Sequence, residues 1–417
     1  MDIVLGAGVT GLSYTMFSKR ETLVLEKEEE YGGYCRTIKK DGFIWDYSGH
    51  FFHFQDNRIK EIVLSRIESS DLLTVKKETK IKYKDRYIDF PFQKNIHQLP
   101  KSEFIDCLCD LYFSGCGSDK GDTFKSMVYS NLGKSISEKF LIPYNEKLYA
   151  CDLDSLDSDA MGRFFPKCNF NDVISNFQKA NNNSYNDTFV YPKGGAIQYI
   201  DSIFKQIKNP NLLLNSPVHR IDVFNKLVYV GDKSYKYDNL ISTLPITALL
   251  DICDIEYNKE VFTNNKVLVF NLGFNKKGTD SSSSWIYFPE KSYSFYRVGF
   301  YDNIMQTDRM SLYVEIGYRT DENIDIDEML KIVLSDLKKA GIVTSENLVS
   351  YSAVVMDPAY VHISKEAMKE LNVIKQRLED LSIYSIGRYG SWTYCSIEDN
   401  IKEAESLAQT IMYKECN

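Results

Sequence analysis

The chain opens with a short apolar strand that runs directly into a glycine-rich turn. Residues 3–5, Ile-Val-Leu, are followed by Gly6, Gly8 and Gly11 in the pattern Gly-x-Gly-x-x-Gly. The first glycine permits a tight turn, the second lets the backbone approach a pyrophosphate, and the third lets a helix pack closely on the strand. Because the pyrophosphate then lies at a helix N-terminus, whose free N–H groups favour an anion, the segment predicts a dinucleotide site.

The residues after the glycine turn strengthen this prediction. A second apolar strand, Thr22–Leu25, ends in Glu26, whose carboxylate can accept hydrogen bonds from ribose hydroxyls. Residues 32–37 (Gly-Gly-Tyr-Cys-Arg-Thr) and 46–50 (Asp-Tyr-Ser-Gly-His) then indicate a flavin. A chance glycine-rich turn is the alternative, but the strand, the helix pattern and the acid all occur in the required order.

The charge balance excludes several classes of protein. The 417 residues include 50 basic and 58 acidic side chains, which gives a net charge of −8. We therefore expect no nucleic-acid partner. No apolar run approaches the ~18 residues needed to cross a bilayer, so no membrane span is expected. The first strand starts almost at the N-terminus, which leaves no room for a signal peptide and favours a cytoplasmic protein.

Cysteine and histidine usage argues against a metal site. The nine cysteines contain no Cys-x-x-Cys pair, and there are only five histidines. Cys107, Cys109 and Cys116 cluster, but no second pair completes a zinc spacing. We expect reduced, mostly buried thiols and no bound metal.

The strand and helix patterns predict an α/β fold, a Rossmann-like FAD-binding domain with inserted helical and antiparallel β-sheet substrate regions. The FAD-binding domain is discontinuous in sequence, because a strand near residue 240 and a late strand–helix unit return to the N-terminal motif. The expected ranges are 1–75, 189–250 and 381–417 for the FAD-binding domain, 99–180 for the helical substrate domain, and 76–98 with 255–380 for the sheet substrate domain.

Beyond the glycine turn, short motifs rich in aromatic residues extend through most of the chain. They are 48–50 (Ser-Gly-His), 90–95 (Phe-Pro-Phe-Gln-Lys-Asn), 143–145 (Pro-Tyr-Asn), 191–195 (Tyr-Pro-Lys-Gly-Gly), 285–290 (Trp-Ile-Tyr-Phe-Pro-Glu), 295–297 (Phe-Tyr-Arg), 387–392 (Gly-Arg-Tyr-Gly-Ser-Trp) and Tyr394. In this order they resemble the UDP-galactopyranose mutase family, particularly its fungal and protozoan type. That family lies within the amine-oxidase-like flavoprotein superfamily.

The resemblance implies a set of site residues, carried over by position. The catalytic residues would be His50, beside the flavin, with Arg163 and Arg297 on the substrate diphosphate. The substrate-binding residues would be Phe90, Phe92, Gln93, Asn145 and Tyr149 around a uridine, and Asn186, Tyr287, Tyr360 and Tyr394 around the diphosphate. The cofactor-binding residues would be Gly6, Gly8, Gly11, Glu26, Gly33, Arg388 and Asp399.

These residue types suit the chemistry that the resemblance implies. A nucleoside diphosphate carries about two negative charges, so two planar guanidinium groups are natural ligands. Aromatic rings can sandwich a uracil, and an amide such as Gln93 can read its polar edge. Asp399, ahead of a final helix predicted over residues 400–413, would cap that helix and turn its N-terminus towards the flavin or its phosphates.

Each assignment has a simpler structural alternative. Arg297 lies in an aromatic strand and could face solvent, and Arg163 could be an ordinary surface arginine on a loop. Tyr149 and Tyr360 could be core aromatics. His50 lies in a loop next to a glycine, outside any periodic element, which favours a functional role.

The chain departs from the family pattern near the expected flavin and in the base pocket. Ser48 stands where the family often has glycine, and Arg36 stands where a small residue is usual. Tyr149 replaces the tryptophan of fungal members, and Phe90 replaces their tyrosine. Because of these changes, the sequence does not determine which nucleotide base is bound.

The function that the resemblance implies is the interconversion of UDP-galactopyranose and UDP-galactofuranose for polysaccharide synthesis. In that family reduced FAD bonds to the sugar through its N5 while the diphosphate leaves and returns, with no net redox change. The two arginines would retain the diphosphate, and residues 157–165 and 181–186 would form a lid against water. An external reductant such as NAD(P)H is one candidate source of electrons, and the sequence leaves the oligomeric state open.

Other functions are compatible with the same motifs. One is a mutase for another sugar nucleotide, such as dTDP-fucopyranose. A second is an oxidoreductase like the amine oxidases or protoporphyrinogen oxidases, which needs an apolar or amine-binding pocket. A third is a flavin-binding protein without catalysis, which would bind FAD but no nucleotide.

Overall fold

A computed structural model describes residues 1–114, 121–178 and 187–416. Its strands are β1 (Asp2–Leu5), β2 (Thr22–Leu25), β3 (Thr37–Lys40), β4 (Phe43–Asp46), β5 (Leu72–Lys76), β6 (Thr79–Tyr83), β7 (Arg86–Asp89), β8 (Thr188–Pro192), β9 (Leu212–Leu213), β10 (Val218–Asp222), β11 (Leu227–Val230), β12 (Lys233–Lys236), β13 (Asn239–Ser242), β14 (Asn265–Phe274), β15 (Trp285–Tyr287), β16 (Arg297–Phe300), β17 (Ser311–Arg319), β18 (Leu348–Met356) and β19 (Ile383–Ser385). Its α-helices are α1 (Val9–Phe17), α2 (Asn57–Leu64), α3 (Lys101–Ser114), α4 (Phe124–Ile136), α5 (Ile142–Tyr149), α6 (Phe170–Gln178), α7 (Ile197–Phe204), α8 (Ile246–Ile252), α9 (Tyr301–Met305), α10 (Ile326–Lys339), α11 (Lys365–Asp380), α12 (Gly387–Gly390) and α13 (Ile397–Cys416).

A parallel sheet with the strand order β19-β13-β1-β2-β9 forms the first layer. Its strands are apolar without alternation, because helices cover both faces. In β1, Val4 packs into a core shared with α1, α7 and α13. Its neighbours Ile3 and Leu5 pack into the opposite core, with α8 and α11. This arrangement leaves the loops at the strand ends as the accessible edge of the sheet.

A larger sheet with the order β18-β14-β17-β16-β15-β6-β7 forms the second layer. Its neighbouring strands are antiparallel except for β15 with β6. Along β14 the side chains alternate: Leu268 and Phe270 pack against α10, whereas Val267 and Val269 face an aromatic cluster around Trp45 and Tyr313. The second face is the one that carries the site residues of β15, β16 and β17.

Helices α3 to α6 form a third region, which packs against the β6–β7 hairpin. Phe124, Val128 and Leu132 of α4 share one core with Ile81 and Ile88 of the hairpin. The carboxyl end of α5 thereby lies against the large sheet.

This architecture confirms the predicted α/β class, with a Rossmann-like parallel sheet and a separate, mostly antiparallel sheet. The boundaries of the three predicted regions stay a prediction. The sequence analysis overlooked α2 and α11. Helix α11 buries Ala367, Leu371, Ile374 and Leu378 at helical spacing behind the N-cap Ser364, so its signal is present in the sequence.

The last helix begins earlier than predicted. Since α13 starts at Ile397, Asp399 lies in its first turn and not at the N-cap position. The Asp399 N–H donates to Ser396 Oγ at 3.2 Å, and the Asp399 carboxylate accepts from the Ser396 N–H at 2.8 Å. This reciprocal pair is a capping box with aspartate in the place of the usual glutamate, so Ser396 is the cap.

Candidate functional site

A cavity of about 990 Å³ opens at the carboxyl ends of the parallel strands. Gly6 follows β1, Glu26 follows β2, Thr243 follows β13 and Gly387 comes shortly after β19, and all of them line the cavity. Open α/β sheets bind ligands at this edge, where the strand order reverses. The volume is at the upper end of the range for small-molecule and cofactor pockets.

A cradle of close-packed glycines forms one end of the cavity. Gly6 has a φ of +96°, and a Cβ on it would lie 2.4 Å from Thr243 Oγ1. A Cβ on Gly33 would lie 3.3 Å from the Cα of Gly8. Since side chains are excluded here, a pyrophosphate has room to reach the N-terminus of α1. Gly11 lies behind the cradle, where a Cβ would lie 2.1 Å from the Gly6 carbonyl oxygen, so it serves the packing of α1 on β1.

The Glu26 carboxylate is fixed beside the glycine cradle. It accepts hydrogen bonds from the N–H groups of Ala7 at 2.7 Å and Glu28 at 3.0 Å. Each carboxylate oxygen has further lone pairs to offer. Glu26 lines the cavity, so the residues present fit the pyrophosphate and the ribose of FAD.

His50 lies on the cavity wall in a tight loop after β4. Its backbone N–H donates to the Ser48 carbonyl at 2.8 Å, and the buried Nδ1 of its ring has no hydrogen-bond partner among the described residues. Burial lowers the pKa of His50 to about 4; Glu315 opposes the shift, whereas Arg388 and Arg297 add to it. The imidazole is therefore neutral near neutral pH and offers hydrogen bonds, not charge.

Arg297 reaches the cavity as half of a buried ion pair. It lies on β16 directly opposite Glu315 on β17. Its Nε and Nη2 donate to the two carboxylate oxygens at 2.6 and 2.7 Å. The arginine side chain is 18% exposed and the glutamate side chain 1%. Burial acts to lower the pKa of Arg297, but Glu315 raises it well above its usual value, so the guanidinium stays charged. The solvent-facing alternative is wrong.

Arg388 lies on α12 beside two tyrosine rings of the cavity. Its guanidinium carbon is 5.2 Å from the Tyr360 ring centre and 5.0 Å from that of Tyr394, and its Nη1 donates to the Cys395 carbonyl at 3.3 Å. No carboxylate pairs with it in the described part of the chain. Burial acts to lower the pKa of Arg388, but nearby tyrosines, Tyr389 foremost, raise it. Arg388 therefore adds positive charge that this wall does not neutralise.

Arg163, which belongs to the helical region, also lines the cavity, near Tyr394. It lies in the short turn Gly162–Phe164, and its Nη2 donates to both oxygens of Asp399 at 2.7 and 2.8 Å. Its Nη1 donates to Gln55 Oε1 at 3.3 Å. The side chain is 49% exposed. Asp399, predicted to bind the cofactor, lies outside the lining of the large cavity and holds this arginine instead.

The residues predicted around a base form a closed aromatic cluster and do not line the large cavity. Phe92 and Tyr149 are fully buried. Gln93 donates through Nε2 to the Pro166 carbonyl, and Asn145 through Nδ2 to the Leu141 carbonyl at 2.7 Å. Buried polar atoms nevertheless lack partners among the described residues: Gln93 Oε1, Asn145 Oδ1 and Tyr149 Oη.

The remaining predicted substrate residues fall into two groups. Tyr360 and Tyr394 line the cavity with their rings stacked at 6.0 Å. Tyr287 lies outside its lining, next to the closed cluster, 5.5 Å from Phe90. Asn186 and the lid segment 181–186 fall outside the described residues.

Two residues of the site escaped the sequence analysis. Glu315 holds Arg297, and its signal is a single acid within the otherwise apolar run 312–316. The ring centre of Tyr144 lies 5.3 Å from that of Phe140 and 5.0 Å from that of Tyr287. Its sequence signal is the motif 143–145, of which only Asn145 was assigned to the site.

The described residues, 1–114, 121–178 and 187–416, show neither a metal-binding cluster nor a membrane-spanning helix. They contain no group of three or more His, Cys, Asp or Glu side chains that could hold a metal ion. None of their helices combines the length and the apolar character that crossing a bilayer requires.

Residues 15–364 match the family described as flavin containing amine oxidoreductase. Together with the glycine cradle and the fixed Glu26 carboxylate, this match confirms the FAD cofactor predicted from the sequence.

Solved structures share the fold over nearly the whole chain. A crystal structure of reduced UDP-galactopyranose mutase is similar with a TM-score of 0.90 at 21% identity, covering 99% of this chain and 93% of that chain. A putative protoporphyrinogen oxidase from Exiguobacterium sp. 255-15 is similar with a TM-score of 0.79 at 15% identity, covering 99% and 98%. Cyclohexylamine oxidase from Brevibacterium oxydans IH-35A is similar with a TM-score of 0.72 at 13% identity, covering 100% and 99%. At these identities the similarities show the fold, which mutase and oxidases share.

Proposed function

The chain belongs to the flavin-containing amine oxidoreductase family, and within it we propose an FAD-dependent nucleotide-sugar mutase. The proposed reaction interconverts the pyranose and furanose forms of a nucleoside-diphosphate sugar, with UDP-galactose as the first candidate. Reduced FAD supplies the nucleophilic N5 that such a ring exchange requires, and the reaction has no net redox change.

The observation that carries this proposal is the charge of the cavity wall beside His50. Arg163, Arg297 and Arg388 all line it, and only the first two have carboxylate partners among the described residues. A net positive, partly buried wall attracts a diphosphate and repels a protonated amine. A protonated amine, as an amine oxidase of this family would bind, would meet unneutralised positive charge on this wall.

In this proposal Arg163 and Arg297 bind the diphosphate before and after it leaves the sugar. Guanidinium groups stabilise the charge that develops on the leaving oxygen. They also keep the leaving group close, so its return is effectively an intramolecular step. Tyr360 and Tyr394 add hydroxyl groups that donate to the same oxygens without further charge.

We assign the nucleotide base to the closed aromatic cluster around Phe92, Gln93, Asn145 and Tyr149. One of the unpaired acceptors, Gln93 Oε1 or Asn145 Oδ1, would take the single N–H of a uracil or thymine, and the unpartnered Tyr149 hydroxyl would donate to one of its carbonyl groups. Since the cluster is closed, the neighbouring segment 157–165, which carries Arg163, has to move when the nucleotide enters.

The first experiment is turnover of UDP-galactofuranose by the dithionite-reduced protein, followed by chromatography for UDP-galactopyranose. Conversion with the reduced protein, and none with the oxidised protein, is the expected result. A bound and reducible flavin with no conversion of UDP- or dTDP-linked sugars would overturn the proposal. Oxygen consumption with an amine would favour the oxidase class instead.

A mutase acting on a dTDP-linked sugar is the second candidate. Tyr149 and Phe90 differ from the residues of fungal UDP-galactopyranose mutases, and both belong to the cluster assigned to the base. Competition between UDP and dTDP for the oxidised protein separates the two candidates. Tighter binding of UDP is expected, and tighter binding of dTDP would shift the substrate.

A further inference from the structure

The Glu315 carboxylate contacts more than Arg297. Its Oε1 accepts hydrogen bonds from Arg297 Nη2 at 2.7 Å and from the Ser48 hydroxyl, while its Oε2 accepts from Arg297 Nε at 2.6 Å. One buried oxygen is therefore shared between the arginine and the serine. The Ser48 hydroxyl and the Arg297 guanidinium are thus linked through one carboxylate.

Ser48 is also the anchor of the loop that carries His50. Its carbonyl oxygen accepts hydrogen bonds from the His50 N–H at 2.8 Å and from the Tyr301 hydroxyl at 3.3 Å. Both Ser48 and His50 line the cavity that fits FAD. The serine hydroxyl thus connects the ion pair on the sheet with the backbone beside the cofactor.

The loop has little space to move independently of the sheet. A Cβ on Gly49 would lie 2.5 Å from the hydroxyl oxygen of Tyr313, which sits two residues before Glu315 on the same face of β17. A Cβ on Gly299 would lie within 2.0 Å of the same ring. Since interiors packed this closely transmit displacement, a shift of the carboxylate reaches the loop.

We propose that Glu315 and Ser48 are positioning residues that aim Arg297 at the diphosphate and couple anion binding there to the His50 loop beside the flavin. The inference rests on the proposed function, because it requires an anionic nucleotide at Arg297. A diphosphate that binds the Nη1 side of the guanidinium, which Glu315 does not contact, draws the arginine away from the carboxylate and changes the hydrogen bond that Ser48 makes to the shared oxygen. The absorption spectrum of the flavin should therefore change when the anion site is occupied.

The test uses the oxidised holoenzyme titrated with UDP, with the flavin absorption spectrum and calorimetry as separate readouts. Wild type should bind UDP and change its flavin spectrum. Ser48→Ala keeps the ion pair, so we expect the Kd for UDP to change by less than about threefold while the spectral change is lost. Glu315→Gln loses the charged partner that fixes the guanidinium, so we expect the Kd to rise by about tenfold.

A matched control is Ser350→Ala. Ser350 is also a buried serine that donates to a carboxylate, Asp41, at 2.7 Å, but it lies on β18 outside the lining of the cavity. It should leave both the Kd and the spectral change as in wild type. FAD content measured after purification shows whether each variant is folded and loaded.

Two results would overturn the inference alone, and a third would overturn the proposed function with it. A Ser48→Ala protein with the wild-type spectral response excludes the coupling. A Glu315→Gln protein that binds UDP more tightly shows that Glu315 only neutralises Arg297. Should Glu315→Gln fail to retain FAD, Ser48→Ala alone decides the coupling. A wild-type holoenzyme that binds neither UDP nor inorganic pyrophosphate overturns both the proposed function and this inference.

Discussion

The arginines of the cavity wall differ in how their charge is balanced, and this determines what a substitution at each will do. Arg297 is held by a buried glutamate, Arg163 by a partly exposed aspartate, and Arg388 by no carboxylate of the described residues. Removing one partner of a buried ion pair leaves an uncompensated charge, which is costly. Removing one partner of an exposed pair changes stability little. Stability and substrate binding therefore have to be measured separately at each site.

Arg297→Ala should lower both stability and catalysis. It leaves Glu315 buried and unpaired, so the free energy of unfolding should fall by about 3 kcal/mol or more. It should also remove at least roughly 2 kcal/mol of transition-state stabilisation. The double variant Arg297→Gln with Glu315→Gln removes both charges and keeps hydrogen-bonding groups, so it should regain most of the stability but none of the activity. Urea unfolding and kcat/KM measure the two effects.

Arg309→Ala is the control for the loss of an arginine near the same sheet, in the loop before β17. Arg309 stacks 4.1 Å from the Phe43 ring centre and lies outside the lining of the cavity. Its removal should leave kcat/KM unchanged. Near-normal turnover in the Arg297 double variant would remove Arg297 from the mechanism.

Asp399→Asn should increase the affinity for an anionic nucleotide. The substitution removes the charge that competes for the Arg163 guanidinium but keeps an oxygen for the Ser396 N–H. The pair is partly exposed, so its loss should cost about 0–1 kcal/mol of stability. We expect the Kd for UDP, measured by calorimetry on the oxidised holoenzyme, to fall by about two- to fivefold.

Glu405→Gln on the same helix is the matched control for Asp399→Asn. Glu405 forms a two-contact pair with Arg58 at 2.6 and 2.8 Å and does not line the cavity. Its loss should leave the Kd for UDP unchanged. An unchanged or higher Kd in Asp399→Asn would mean that Arg163 does not contact the nucleotide.

The loop from His50 to His53 should make the protein sensitive to acid. Burial lowers the pKa of both imidazoles from 6.5 to about 4. Between these values the unfolded chain binds more protons than the folded protein, so the free energy of unfolding rises with pH. The stability that the two neutral imidazoles contribute is fully present above pH 6.5 and is lost as the pH falls towards 4. Urea unfolding at a series of pH values measures the slope.

His53→Gln should reduce this slope, because glutamine does not titrate. His219→Gln, at an exposed position on β10, should leave it unchanged. An identical slope in wild type and His53→Gln would show that His53 is not a source of the acid sensitivity.

At the scale of helices and strands, the sequence predicted the features that depend on local residue patterns. Unbroken apolar runs predict β1 and β2, because both sheet faces are buried, and the glycines predict the turn into α1. The aromatic strand predicted around Arg297 begins only at that residue, and the last helix begins at Ile397, because register and caps depend on neighbouring elements. The ion pairs of the site could not be predicted: Glu315 lies 18 residues from Arg297 and Asp399 lies 236 residues from Arg163. Only tertiary pairing brings them together.

At the scale of the whole molecule, the site depends on how the helical region is fixed to the large sheet. Buried Asn265, at the start of β14, joins them: its Nδ2 donates to the Leu148 carbonyl at 2.6 Å, and its Oδ1 accepts from the Tyr360 N–H at 2.8 Å. His362 adds a second link to the Tyr149 carbonyl at 2.9 Å. These contacts set the distance between the cluster assigned to the base and the wall assigned to the diphosphate.

Asn265→Ala should therefore weaken both folding and nucleotide binding. It leaves two buried backbone groups unpaired, which should lower the free energy of unfolding by about 2–4 kcal/mol. It should also raise the Kd for UDP, because a nucleoside diphosphate has to span both subsites at once. Asn271→Ala provides the comparison, since Asn271 is buried on the same strand and donates to the Asp46 carbonyl at 2.9 Å, away from α5. Both variants should lose stability in urea, but only Asn265→Ala should lose affinity for UDP. Equal loss of affinity in both would mean that general loosening of β14, and not the link to α5, controls the spacing of the subsites.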